Sequence, residues 1–263
     1  MTDKLRCLMI SVVLLCIAAP APVLAKDKLV IGVENQFYLP IYAYDQGQYH
    51  GFARDLFDAF AQDLGYQIEY RALPVPRLYA SFFSGQIDFK FPDNPLWKQQ
   101  ERSGKKISYS TPIAAFVDGV SVLPRNANAR IDQIKHIGTM SGFTPWAWMD
   151  RIKTGDTRLS ENTHLQALIQ QTLAGRNDGT YASIAVINYQ LDHVLKQPGA
   201  LVFSPALPHD RDNYYLSSIK RPEIISQFNH WQQANRTRIA AMKKKYGVEK
   251  GIEKSVEKGA TQP

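Results

Sequence analysis

The chain has 263 residues, of which 44% are hydrophobic, enough to bury the cores of two modest α/β domains. Its formal net charge of +7 comes from 31 Lys and Arg against 24 Asp and Glu; the basic residues are spread along the chain, which argues against nucleic-acid binding. Both cysteines, Cys7 and Cys16, precede residue 26, so the remainder has no disulfide, thiol nucleophile or cysteine-ligated metal.

Residues 1–25 read as a secretory signal peptide, with Lys4 and Arg6, an apolar run over 8–19, and Val23-Leu24-Ala25 at the cleavage positions. A membrane anchor is the alternative, but the run is short of the roughly 20 residues a spanning helix needs. Pro20 and Pro22 also interrupt it. Leu15 before Cys16 argues against a lipoprotein, so export to the periplasm is the expectation.

A β-branched strand is expected over 29–33, followed by a helix over 52–64 that carries Leu56, Phe57, Phe60, Ala61 and Leu64 and is closed by Gly65. A strand over 68–71 and a helix over 77–83 come next, then Gly85-Gln86-Ile87-Asp88 and a short strand that stops at the acidic loop Phe91-Pro92-Asp93-Asn94. In a parallel α/β sheet, small ligands bind beyond the carboxyl ends of strands, so that loop is a candidate ligand site. The order helix, Gly-x-x-Asp, strand recurs at Gly175-Arg176-Asn177-Asp178 and implies two similar halves.

Between the copies, 118–123 and 136–138 read as strands, 145–152 and 165–174 as helices. A strand over 214–219 leads to one long helix over 222–245, with Pro222 in its first turn. That helix has no sheet of its own and is expected to return to the first half. After Lys243-Lys244-Lys245, the residues Val248, Ile252 and Val256 repeat every four positions, which predicts one helix face at a solvated, fraying end.

No catalytic motif stands out. The six histidines, His50, His136, His164, His193, His209 and His230, lack metal-ligand spacing, and no Gly-x-Ser-x-Gly or phosphate-loop pattern occurs. No metal and no cofactor are expected.

The run 29–33, Tyr38-Leu39-Pro40, Gly51-Phe52 with Asp55 and Leu56, Ser84-Gly85-Gln86-Ile87-Asp88 and Tyr109-Ser110-Thr111-Pro112 resembles the extracellular solute-binding proteins of family 3, receptors of polar amino-acid ABC importers. The resemblance implies a type II periplasmic-binding-protein clamshell of two α/β lobes, each a mostly parallel sheet with helices on both faces, joined by two hinge crossings. Lobe one would comprise 26–115 plus 213–263, and lobe two 116–212. It further implies a monomer that traps a small zwitterionic or anionic amino-acid-like ligand and hands it to an inner-membrane ABC permease.

Carried over residue by residue, the resemblance makes Tyr38 a ring that covers the ligand, and Phe91, Asp93 and Asn94 a loop that meets its ammonium, although the family usually has Ser, Gly and Thr there. Thr144, following Gly142 and Phe143, matches a carboxylate-binding threonine, and helix capping explains the same letters. The carboxylate-clamping arginine is ambiguous: Arg77 and Arg102 both qualify. Ser183 stands where amino-acid binders hold a second aspartate for the ammonium, so either Asp93 or Glu161 compensates or the ligand is not an ordinary α-amino acid. Tyr181 shares a strand face with Ser183, and Trp97 completes a possible aromatic pocket. Two alternatives on the same fold remain: a cyclohexadienyl-dehydratase-like enzyme using Glu161 or Asp93 as acid, and a ligand-sensing subunit for a membrane receptor.

Overall fold

The computed structural model describes residues 28–252; the expected signal peptide and Val256 lie outside that range. The first strand, β1 (Lys28–Glu34), is buried at Leu29, Ile31, Val33 and Glu34. A small antiparallel sheet of β2 (Phe37–Tyr38), β3 (Tyr42–Asp45) and β4 (Gln48–His50) follows it. Helix α1 (Phe52–Leu64) spans the predicted residues, burying Leu56, Phe57 and Phe60, and Gly65 ends it at φ 78° with its N–H on the Ala61 carbonyl.

Strand β5 (Gln67–Leu73) precedes α2 (Val75–Phe83), which starts two residues before the expected position. Pro76 falls in its first turn, where a missing N–H has no helical partner to lose. Fully buried β6 (Phe89–Asp93), the single turn α3 (Gln99–Arg102) and β7 (Ser108–Tyr109) lead to β8 (Ala114–Val122). Then come β9 (His136–Met140), a 3-10 turn and α4 (Met149–Lys153), β10 (Arg158–Asn162), α5 (Leu165–Leu173) and β11 (Gly179–Ser183). Helix α6 (Ile184–Tyr189) runs into a π turn before β12 (Val202–Phe203) and β13 (Asp210–Ser218).

The predicted terminal helix is two, α7 (Pro222–Ala234) and α8 (Arg236–Tyr246). Asn235 separates them because its side-chain amide and its backbone N–H both donate to the Trp231 carbonyl, at 3.0 and 2.9 Å. The end of the described chain also departs from expectation. Val248 and Ile252 are buried, and Ile252 clusters with Val117 and Ile184, while the Glu249 carboxylate accepts the Ala115 N–H at 3.0 Å. Apolar contact with β8 and α6, not solvation, fixes that segment.

One sheet runs β10-β9-β11-β8-β13-β6-β1-β5, with β12 and β7 attached to β8 and β13. Its two ends are parallel, β5-β1-β6 and β10-β9-β11, and its middle is antiparallel. Strand β13 belongs to both halves: Asp210 to Tyr214 pair with β8, then Tyr215 and Ser217 pair with β6. The two Gly-x-x-Asp copies are structurally equivalent. Asp88 accepts the Val30 N–H at 2.9 Å, and Asp178 accepts the Lys135 and His136 N–H groups at 2.7 and 2.8 Å. Each carboxylate pins the start of the neighbouring parallel strand, at the sheet end opposite the carboxyl-end loops.

Candidate functional site

Beyond the carboxyl ends of β1, β6, β9 and β11 lies a cavity of about 320 Å³. The first half contributes Glu34, Tyr38, Tyr42, Tyr79, Asn94 and Trp97; the second contributes Gly142, Phe143, Thr144, Trp146 and Tyr181. The antiparallel middle strands form its floor through Phe116, Asp118, Asp210, Asp212 and Tyr214. The halves touch around it. The Tyr38 hydroxyl accepts the Ser183 N–H at 3.0 Å, and the Gln36 amide donates to the Ser141 carbonyl at 3.4 Å. Gly142, at φ +87°, approaches α2 so closely that an added Cβ would lie 2.9 Å from the Val75 Cβ.

The walls are largely aromatic. Tyr38 stacks on Tyr42 with centroids 5.5 Å apart and meets Phe143 edge-on at 5.4 Å. Phe116 packs on Tyr214 at 4.7 Å, and Trp97 lies 5.9 Å from Phe116. Such faces are electron-rich and attract cations.

The polar groups between the rings are mainly carboxylates. Asp118 and Asp210 are direct cross-strand partners, and Ser183 is the partner of Asp118 on its other side. That row puts three short polar side chains on one face. Burial, then the neighbouring Asp210 and Glu34 carboxyls, push the Asp118 carboxyl up to about 8. Its Oδ1 is buried with no hydrogen-bond partner. Asp210 is better satisfied, accepting the Tyr181 hydroxyl at 2.5 Å and the Ala147 N–H at 3.2 Å. Glu34 accepts the Tyr42 hydroxyl; burial raises its carboxyl above the usual range although Lys90 opposes the shift.

Residues 29–188 match the sequence model of the bacterial extracellular solute-binding proteins, family 3. The chain belongs to that family. No curated protein sequence matches it. Solved structures agree on the fold. The arginine-, lysine- and histidine-binding protein ArtJ of Geobacillus stearothermophilus superposes with TM-score 0.67 at 18% identity, covering 87% of this chain and 99% of that one. An ancestral amino-acid-binding protein described as a precursor of cyclohexadienyl dehydratase gives 0.64 at 19%, covering 83% and 94%. A histidine kinase sensor domain similar to periplasmic binding proteins gives 0.66 at 16%, covering 83% and 95%.

This family 3 protein gathers seven of the expected residues at the cavity: Tyr38, Asn94, Trp97, Gly142, Phe143, Thr144 and Tyr181. The others lie elsewhere. Phe91 is wholly buried in the core against Phe57. Glu161 is exposed on the edge strand β10 and Arg77 is exposed on α2, and neither lines the cavity. Ser183 lies behind the Tyr38 hydroxyl.

Asp93 and Arg102, expected to face a ligand, face each other. The guanidinium forms a fork with the Asp93 carboxylate at 2.6 and 3.2 Å and donates to the Tyr109 hydroxyl at 2.6 Å. The same carboxylate takes Ser217 Oγ at 2.5 Å and the Lys90 ammonium at 3.3 Å. Charge-assisted bonds of this kind withdraw both partners from ligand contact. The carboxyl group set beside Ser183 is neither Asp93 nor Glu161 but Asp118, on the adjacent strand. A lone Asp within the apolar run 114–122 was the sequence signal for it; Asp210 and Glu34 carried none.

Proposed function

We propose that this protein is a periplasmic receptor that closes on a small ligand bearing a positively charged group and delivers it to an ABC permease. The observation that carries the reading is the cavity between the halves, walled by aromatic rings and bordered by Glu34, Asp118 and Asp210. Membership of an extracellular solute-binding family supports the transport role. In this reading residues 1–25 are a cleaved signal peptide, the mature protein is monomeric, and 26–115 plus 213–263 move against 116–212 about β8 and β13. A purely anionic ligand would meet like charge in the cavity, so the positive group is the defining feature.

Contacts such as Tyr38 to Ser183 form only when the halves meet. A ligand bound by both halves therefore favours the closed state, as differential affinity requires. Thermal-shift screening of basic amino acids and amines, followed by small-angle scattering, tests this. The expected result is a cation that raises the melting temperature and compacts the particle. A stabilising ligand that leaves the scattering radius unchanged would remove the clamshell mechanism.

A second reading has one observation in its favour. A carboxyl group held protonated near neutrality, as Asp118 is, could serve as a general acid for water loss. Incubation with arogenate or prephenate decides it: release of an aromatic product supports a dehydratase, and no product supports a receptor. A floor of carboxyl groups with no inner cation disfavours substrates that carry carboxylates.

A further inference from the structure

Resting on the reading of a cation receptor, we infer that the site selects an organic cation that carries no carboxylate: an amine, guanidine or quaternary ammonium compound. A zwitterionic amino acid needs two counter-charges, one for each end, and the cavity interior provides only carboxyls, its two basic lining residues, Lys98 and Arg211, lying at the solvent edge.

Two buried cations lie behind its wall, and both are engaged. Arg102 makes four hydrogen bonds, all within the protein, to Trp97, Tyr109 and both oxygens of Asp93. Lys90 donates to the Pro92 carbonyl and to Asp93, and its ammonium lies 4.2 Å over the Tyr79 ring, a ring that itself faces the cavity. The cation is therefore capped on the ligand side. Lys98 and Arg211 are the two basic residues that touch the cavity. Lys98 pairs with Glu101 at 3.7 Å, and Arg211 is exposed, so they mark its solvent edge.

The ionisable groups inside are carboxyls. Asp118 and Asp210 stand side by side on adjacent strands, Glu34 faces them, and a buried acceptor atom of Asp118 lacks a donor. A buried acceptor without a donor is costly, and an ammonium or guanidinium N–H would satisfy it. A carboxylate on the same small ligand would be desolvated among carboxylates with no cation opposite it. The rings of Tyr38, Trp97, Phe116, Phe143 and Tyr214 add attraction for a cation and none for an anion. The described residues include no cluster of three His, Cys, Asp or Glu placed to hold a metal, and the aromatic walls suit an organic cation.

Calorimetry with matched pairs tests the inference: agmatine against arginine, cadaverine against lysine, choline against glycine betaine. The expected result is that, in at least one pair, the member without the carboxylate binds at least tenfold more tightly. Equal or tighter binding of the carboxylated member in every pair that binds would overturn the inference while leaving the cation receptor in place. Binding of neutral or anionic solutes, with no response to any cation, would overturn both.

Discussion

Asp118 on β8 and Asp210 on β13 are direct antiparallel neighbours at the floor of the cavity. Two carboxyls so placed in a buried site cannot both ionise cheaply, and Asp118 is held at about 8 against an ordinary 3.8. Tyr38, Tyr181, Tyr214 and Glu34 also surround it and add no positive charge. A raised acid pKa contributes stability that is complete below about 4 and is lost as pH rises through 8, because the unfolded chain releases the proton first. Asp118→Asn removes that dependence. Its melting temperature is expected to exceed that of the wild type by roughly 5 °C at pH 9 and to converge with it near pH 4. Thermal unfolding of both proteins across this range is the check.

The same proton links to ligand capture. A cation seated against Asp118 favours the ionised carboxylate, so affinity is expected to rise between pH 6 and pH 9, with proton release on binding below pH 8. Calorimetry in two buffers of different ionisation enthalpy measures that release directly.

Asp93 neutralises two buried cations, Lys90 and Arg102. Asp93→Ala leaves both uncompensated and is expected to cost about 3–5 kcal/mol of stability. Arg77→Ala, at an exposed position, is expected to stay within about 0.5 kcal/mol and to leave ligand affinity unchanged. Urea unfolding and calorimetry on the two variants separate these outcomes.

Gly142 adopts φ +87° and its missing Cβ would collide with Val75 across the cleft. Gly142→Ala is therefore expected to oppose closure and weaken ligand binding about tenfold or more, with an additional backbone cost of about 1 kcal/mol. Scattering at saturating ligand provides the readout: the variant remains more extended than the wild type.

Tyr38→Phe deletes the acceptor for the buried Ser183 N–H. An orphaned buried donor costs about 1–3 kcal/mol. Because this bond joins the two halves, the loss is expected chiefly as faster ligand release, measurable by stopped-flow fluorescence, with little change in the association rate.

Local structure was readable where one segment determines its own shape. The stripe Leu56, Phe57, Phe60 with a closing Gly65 fixed α1, and the paired Gly-x-x-Asp turns revealed the internal repetition. The site was harder because its polar row is built by strand pairing. Ser183, Asp118 and Asp210 become neighbours only through the register of β11, β8 and β13, which no short-range pattern encodes. The inward turn of Asp93 was hidden for a related reason: Arg102, expected to meet a ligand, reaches that carboxylate only when α3 folds back over β6. Val248 and Ile252 looked like a free helix face because the surface they cover belongs to β8 and α6, far upstream.

The position of β13 in the centre of the sheet has a bearing on how the chain acquires its structure. Residues 210–218 are inserted between β8 and β6, so any nascent chain lacking them would present two unpaired central edges, each a template for aggregation. Neither half can complete its hydrogen bonding until synthesis has passed that strand, and the pairings it makes reach back about a hundred residues, which slows folding. The polypeptide therefore remains without its finished core through most of its elongation.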